Sequence, residues 1–396
     1  MEIKYYFDYN ATTPTDPRVL DEMMPYFFET FHNPSSFYRK AGEARHAVEL
    51  AREKAAKLIN AEPREIFFSA GGTESDNLAI QGTASKLKEK GNHIITSAIE
   101  HPAVLEACKF LEKKGFEITY LPVDKYGFVN PDDLKKNIKN TTILVTIMHA
   151  NNEIGTIQPL KQLIEIAHEK GVFFHTDAVQ SVGKIPVDVK NLDLDMLSFS
   201  SHKIYGPKGI GVFYKKHKVK IDPLIFGGGH EKGLRSGTEN VTGIVGLGKA
   251  AELALVEMEE EEKRIRPIRD RLQKAIIEII PESFVNGDTE NKLYNTLNVS
   301  IKYIEGESIL AMLDGEGFSL SSGSACSSKS LEPSHVLLAL GLKHEDAHGS
   351  LRISLGKYNT EADADRLLEV LPPIVERLRN ISPFWDKKTP ENLRRI

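Results

Sequence analysis

Ile66-Phe67-Phe68-Ser69-Ala70-Gly71-Gly72-Thr73-Glu74 passes from an apolar run through two adjacent glycines into the opening of a helix. An apolar run, a glycine turn and an amphipathic segment in that order make the first half of a strand–helix unit. The pattern repeats outward to about residue 215. Apolar runs at 66–70, 94–98, 118–122, 143–148, 172–176, 196–200 and 210–214 read as strands. Amphipathic stretches at 77–89, 103–113 and 160–170 read as helices, and Gly91, Gly115 and Gly171 stand where such helices should stop. The alternation predicts an α/β fold with a mostly parallel, seven-stranded sheet. Near Gly246 the character changes. A long charged helix runs through 257–262 toward Ile280, followed by a strand at 297–301, a helix at 308–315, a serine-rich stretch and a final helix at 362–380. That is the pattern of a second, smaller α+β domain. The acidic run Glu259-Glu260-Glu261-Glu262 reads as a solvated helix face, and residues 385–396 as a polar tail.

A length of 396 residues exceeds what one small core holds. Hydrophobic residues at 40% and charged residues at 27% exclude collagen-like, disulfide-scaffold and disordered classes. The net charge of −5 does not suit a chain that coats nucleic acid, so no direct nucleic-acid binding is expected. Residues 1–9 lack a basic segment followed by an apolar core, and no stretch approaches the roughly 20 apolar residues of a membrane span. A cytoplasmic protein without membrane contact is therefore expected. Two cysteines, Cys108 and Cys326, are too few for a disulfide framework and predict a reducing compartment.

Several loops carry residues suited to chemistry. The Gly71-Gly72-Thr73 turn offers backbone N–H groups and a helix N-terminus to an anion, or is an ordinary tight turn. Asp177 ends a strand, where open α/β sheets bind ligands and where a helix N-cap is equally at home. Lys203, in Ser200-Ser201-His202-Lys203, would be held at the sheet edge among polar residues, the setting in which a lysine forms a Schiff base. Cys326 lies among small residues and reads as a reactive thiol, whereas Cys108 falls on the apolar stripe with Ala107 and Leu111 and reads as core. His344-Glu345-Asp346-Ala347-His348 matches the zinc-peptidase pattern. Gly341 and Gly349 bracket it too tightly for a sustained helix and no third ligand follows, so it reads as a connecting turn.

Taken in order, these loops form a larger pattern. The Gly-Gly-Thr-Glu turn precedes Glu100-His101, His149-Ala150-Asn151-Asn152-Glu153-Ile154-Gly155 and the segment 175–180. Ser200-Ser201-His202-Lys203, Gly227-Gly228-Gly229-His230-Glu231, Arg235-Ser236-Gly237-Thr238 and the Cys326 loop follow. The set closely resembles the group I cysteine desulfurases, the NifS/IscS type within the class V aminotransferase family. The likeness extends from Phe7-Asp8-Tyr9-Asn10-Ala11-Thr12-Thr13-Pro14 to Arg352-Ile353-Ser354-Leu355-Gly356, and only the tail after about residue 381 falls outside it. Ser-Gly-Ser-Ala-Cys-Ser-Ser at 322–328 marks group I rather than group II.

The resemblance implies a fold type I enzyme dependent on pyridoxal 5′-phosphate (PLP), a homodimer with its sites near the subunit interface. It implies a large domain at 15–258 and a small domain joining 1–14 to 259–396. By the same likeness Lys203 would bind PLP as an imine and move the substrate Cα proton. Asp177 would hold the proton on the pyridine nitrogen, Gln180 would bond the phenolic oxygen, and His101 would stack on the ring and act as acid and base. Gly72, Thr73, Ser200 and His202 would hold the phosphate, with Thr238 reaching it from the partner subunit. Asn152 and Arg352 would clamp the carboxylate of L-cysteine. Cys326 would take the sulfur as a persulfide, L-alanine would leave, and a sulfur-acceptor protein would follow. That acceptor is expected to be an iron–sulfur scaffold; tRNA thiolation is another compatible destination. No intrinsic metal is expected, and Cys326 is offered as a ligand of a transient 2Fe–2S cluster shared with the scaffold. The alternatives are an aminotransferase or selenocysteine lyase of the same fold, and a sulfur carrier or scaffold without catalysis.

Overall fold

The computed structural model describes residues 5–322 and 332–385. Among them the strands are β1 (Tyr5–Tyr6), β2 (Ile66–Ser69), β3 (His93–Ser97), β4 (Glu117–Leu121), β5 (Thr142–Thr146), β6 (Phe173–Asp177), β7 (Met196–Ser200), β8 (Gly211–Lys215), β9 (Ser283–Val285), β10 (Thr296–Ile301), β11 (Phe318–Ser319) and β12 (Ser350–Ser354). The helices are α1 (Pro17–Met23), α2 (Pro25–Phe28), α3 (Arg39–Leu58), α4 (Gly72–Leu87), α5 (Pro102–Glu112), α6 (Pro131–Asn137), α7 (Leu160–His168), α8 (Val241–Ile279), α9 (Gly306–Gly315), α10 (His335–Ala339), α11 (His344–His348) and α12 (Glu361–Ile381). None is long and apolar enough to cross a membrane.

Seven strands form the central sheet in the order β2-β8-β7-β6-β5-β3-β4. All pairings from β7 to β4 are parallel, and β8 alone runs against both of its neighbours. These are the seven apolar runs read from the sequence, with slightly different ends. Gly115 and Gly171 have φ of 89° and 68°, as left-handed helix ends require. Gly91 has another reason: a Cβ there would lie 2.2 Å from the carbonyl oxygen of Thr141.

Helix α3 has no counterpart among the sequence expectations. Its buried stripe is made of small residues, Ala41, Ala44, Ala47, Ala51 and Ala55, and gives a weak apolar signal. Small residues also allow close approach to α8, where a Cβ on Gly248 would sit 2.7 Å from Ala51 Cα.

Apolar packing divides into separate cores. One joins Val48 of α3, Ile164 of α7 and Ile244 and Leu247 of α8 to Val145, Phe174 and Leu197 of the sheet. Another joins Leu78 and Ile80 of α4 and Val104 of α5 to Ile94, Leu144 and Phe213. The three-stranded sheet β12-β10-β9 has its own core, in which Leu297 and Ile353 meet Ile268 and Leu272 of α8, Leu313 of α9 and Leu367 of α12. Helix α8 thus carries one end into each part. Glu259 and Glu260 are exposed between those ends, as a solvated face requires. Glu261 departs from that reading: it accepts the Tyr205 hydroxyl at 3.0 Å, and burial pushes its carboxyl above the usual range.

The loop before α8 is pinned by a buried ion pair. Glu231 and Lys232 both stand at positive φ, 48° and 57°, which costs about 1 kcal/mol or more for residues with a Cβ. The Glu231 carboxylate holds them there by accepting Arg52 Nη1 at 2.8 Å, Arg52 Nη2 at 2.9 Å and the Phe68 N–H at 3.0 Å. Glu231→Ala leaves a buried guanidinium without this partner and is expected to cost about 3–5 kcal/mol. Chemical denaturation measures it, and an unchanged midpoint would show that the pair does not hold the loop.

Candidate active site

Side chains at the C-terminal ends of parallel strands converge because every strand exits on the same edge. The loop after β3 brings Glu100 and His101, that after β5 brings Asn152, β6 ends at Asp177, and β7 leads through Ser200 to His202 and Lys203. Helix α4 presents Gly72 and Thr73 at its first turn, where backbone N–H groups have no intrahelical acceptor. Val179 seals that turn, since a Cβ on Gly72 would meet Val179 Cγ2 at 2.7 Å. Arg352 arrives from β12, and Asp8 and Asn10 from the segment after β1.

Gly72, Thr73, His101, Asn152, Asp177, Gln180, Ser200, His202, Lys203 and Arg352 all line one cavity of about 440 Å³. Two residues of the expected set stand apart. Thr238 is exposed and does not line the cavity. Cys326 lies outside the described residues. The chain approaches it at Ser321, whose carbonyl accepts the Arg352 N–H at 2.7 Å, and returns at Ser334 and His335. Ser334 donates to the Glu153 carboxylate at 2.5 Å, and His335 Nε2 lies 2.9 Å from the Glu100 carbonyl oxygen. Cys108 is fully buried, and burial with the nearby Glu100 pushes its thiol up to about 12. It is a core residue, as its place on the apolar stripe predicts. The His344–His348 motif forms a one-turn helix, α11, rather than a plain turn.

Burial and one cation control the cavity's titration. Lys203 Nζ donates to the carbonyl oxygens of Asn10 and Ala11, the latter at 2.7 Å. Burial pushes Asp177 up to about 6, opposed by the Val179 N–H and the field of Lys203. His101 is pushed down to about 4 by burial and by Lys203. Its Nδ1 accepts the Ala103 N–H at 3.1 Å, so the proton of the neutral ring is on Nε2. His202 is also pushed down to about 4 by burial and by Lys203, and its Nδ1 meets Thr12 Oγ1 at 3.0 Å.

Sequence reasoning missed several residues here. Asp8 accepts Arg352 Nη2 at 2.7 Å and fixes the guanidinium, whose Nη1 reaches the Asn152 carbonyl at 3.4 Å. Asp76 lies buried on the cavity wall, 3.7 Å from His175 Nε2; burial and then Asp177 raise its carboxyl well above the usual range. Asp8 and Glu100 were visible only as letters of a longer motif, and Asp76 as one polar position in an ordinary helix.

Glu100 accepts Ser97 Oγ at 2.5 Å and the Met148 N–H at 3.0 Å, and burial pushes it up to about 8. Its folded state therefore holds a proton that the unfolded state has lost, so its contribution to stability is full in acid and disappears as pH rises through about 8. Glu100→Gln mimics the protonated form. The stability difference in favour of the variant should grow between about pH 4.5 and 8, by at most about 1.4 kcal/mol per pH unit. Parallel stability–pH curves would show that Glu100 is ionised in the fold.

Residues 5–367 match the aminotransferase class-V family model. The cysteine desulfurase IscS of Methanosarcina thermophila is 55% identical over 97% of this chain and 95% of its own, and that of Clostridium botulinum is 54% identical over 98% of each. Among solved structures, a NifS-like protein superposes with a TM-score of 0.90 at 42% identity, covering 95% of this chain and all of its own. SspA in complex with cysteine superposes at 0.80 with 40% identity, covering 90% of this chain and all of its own. With likeness of this degree over nearly its whole length, the chain belongs to the aminotransferase class-V family and, within it, to the cysteine desulfurases.

Proposed function

We propose that the chain is a PLP-dependent cysteine desulfurase that takes sulfur from L-cysteine, releases L-alanine and carries the sulfur as a persulfide on Cys326. The observation that carries this reading is the meeting of Lys203, Asp177, His101 and Arg352 in one cavity. The residues present fit PLP. The N-terminus of α4 is backbone without a side-chain cap, suited to a phosphate, a Cβ on Gly72 would meet Val179 Cγ2 at 2.7 Å, and the buried Asp177 carboxylate and Lys203 line the same cavity. When bound, PLP supplies an electron sink for the pair released as the substrate's Cα–H bond breaks.

The chain's own residues supply the rest. Asp177 holds the proton at the pyridine nitrogen. Lys203 anchors the cofactor through its amine and then moves the Cα proton. His101 has Nε2 left for acid–base work, because Nδ1 is committed to the Ala103 N–H. Gln180 takes the phenolic oxygen; Gly72, Thr73, Ser200 and His202 take the phosphate. Arg352, steadied by Asp8, clamps the substrate carboxylate together with Asn152. The Cys326 thiolate then attacks the substrate sulfur: an S–S bond forms as the Cβ–S bond breaks, and protonation of the three-carbon remainder yields L-alanine.

Further parts of the reading follow from the family. The protein works as a homodimer in the cytoplasm, Thr238 reaches the partner's phosphate, and an iron–sulfur scaffold receives the sulfur at Cys326. Its large domain is 15–258, and its small domain joins 1–14 to 259–396. The separate core containing Phe7, Ile268 and Leu367 supports that division.

Cys326→Ala should bind PLP and still change colour with L-cysteine while releasing almost no sulfide, whereas Cys108→Ala stays active. Loss of activity in a folded Cys108→Ala would reverse the two thiols. Arg352→Ala should weaken L-cysteine use by at least about tenfold at unchanged PLP content. Loss of the cofactor instead would place Arg352 in the PLP site. Product analysis should find alanine; a keto acid would point to transamination.

A further inference from the structure

Gln180 is held from behind by a lysine. Lys184 is buried one turn further along the chain, and its Nζ donates to Gln180 Oε1 at 2.7 Å and to Asn10 Oδ1 at 3.4 Å. Lys184 Nζ is the donor in that contact, and the Gln180 atom that accepts is the carbonyl oxygen. The amide's other end is thereby settled. Nε2 donates one hydrogen to the Asn10 carbonyl at 2.9 Å, and Gln180 lines the cavity.

Asn10 is fixed by the same contact. Its Nδ2 donates to the Asn152 carbonyl at 3.1 Å and to Thr296 Oγ1 at 2.8 Å, and its Oδ1 also accepts Asn295 Nδ2 at 3.1 Å. Its carbonyl oxygen accepts from Lys203 as well as from Gln180. Burial, with Lys203 and Arg352 adding to the effect and Glu261 opposing it, pushes Lys184 down to about 7. A methionine would fill the same space without that penalty. What lysine alone adds is a donor aimed at the Gln180 oxygen.

We propose that Lys184 is a positioning residue: by donating to Gln180 Oε1 it fixes the amide so that its N–H, and not its oxygen, is presented to the phenolic oxygen of PLP. This rests on the PLP reading above. Without Lys184 only the Nε2–H bond to the Asn10 carbonyl opposes a turn of the amide, a turn that would set an oxygen against the phenolic oxygen.

Equilibrium binding of PLP to the cofactor-free protein tests the proposal. Lys184→Met is expected to weaken binding about tenfold and to shift the absorption maximum of the bound cofactor, because the phenolic oxygen loses its donor. The cofactor-free variant should melt close to the unaltered chain. Gln180→Ala should weaken PLP as well, and adding Lys184→Met to it should change nothing further. If Lys184→Met does not fold, Lys184→Leu is measured in the same way; it too offers no donor to Gln180, so weaker binding and the same spectral shift are again expected. Unchanged affinity and spectrum in a folded variant, or an undiminished effect in the Gln180→Ala background, would overturn the proposal. An unaltered chain that binds no PLP would instead overturn the cofactor reading on which it rests.

Discussion

Burial sets the electrostatic state of the cavity, and the positive charge of Lys203 tips it. Asp177 and His101 are both buried deeply enough that desolvation dominates their titration. Lys203 acts on the two in opposite senses of pKa but toward one arrangement. It pulls Asp177 back toward the ionised form and holds His101 neutral. An anionic acceptor and a neutral imidazole can therefore share a small space near neutral pH. Adjacent parallel strands make this possible, because β6 and β7 pair at Asp177 and Ser198 and deliver Asp177 and Lys203 side by side.

The segment 5–13 connects that centre to the smaller sheet. Its Phe7 is part of the core beneath β10 and β12, and the Ser354 N–H donates to the Phe7 carbonyl at 2.8 Å. Farther along, Asn10 and Ala11 hold Lys203, and the Thr13 N–H donates to the His202 carbonyl at 3.0 Å. Asp8, between them, grips Arg352. A single short stretch thus ties the lysine that orders the cavity to the arginine that closes it. Helix α8 makes the second connection, with Ile244 in one core and Ile268 in another.

The seven strands of the central sheet and β10 were legible as short apolar runs ended by glycine or by a polar loop, a composition that burial in a parallel sheet favours, whereas β1, β9, β11 and β12 were not. Helix α3 was not, since an alanine stripe carries little hydrophobic contrast. Lys203, Asp177 and Arg352 could be singled out by chemistry and by their place in an ordered motif. Asp8, Asp76 and Lys184 could not. Each acts on a residue distant in sequence or through a burial that only the fold creates, and a polar letter in a loop or helix looks the same whether it is solvated or enclosed. Gly91 does follow the end of α4, its N–H donating to the Leu87 carbonyl at 3.2 Å, and the crowding of Thr141 against any Cβ there is a second requirement that only the fold reveals.

The central claim is that Lys203 carries the cofactor, and reduction of the PLP-loaded protein with borohydride followed by peptide mapping tests it most directly. The purified protein should be yellow, and the reduced cofactor should be fixed to the peptide containing Lys203. A label on Lys184, Lys208 or any other lysine, or a protein that takes up no PLP, would contradict the account.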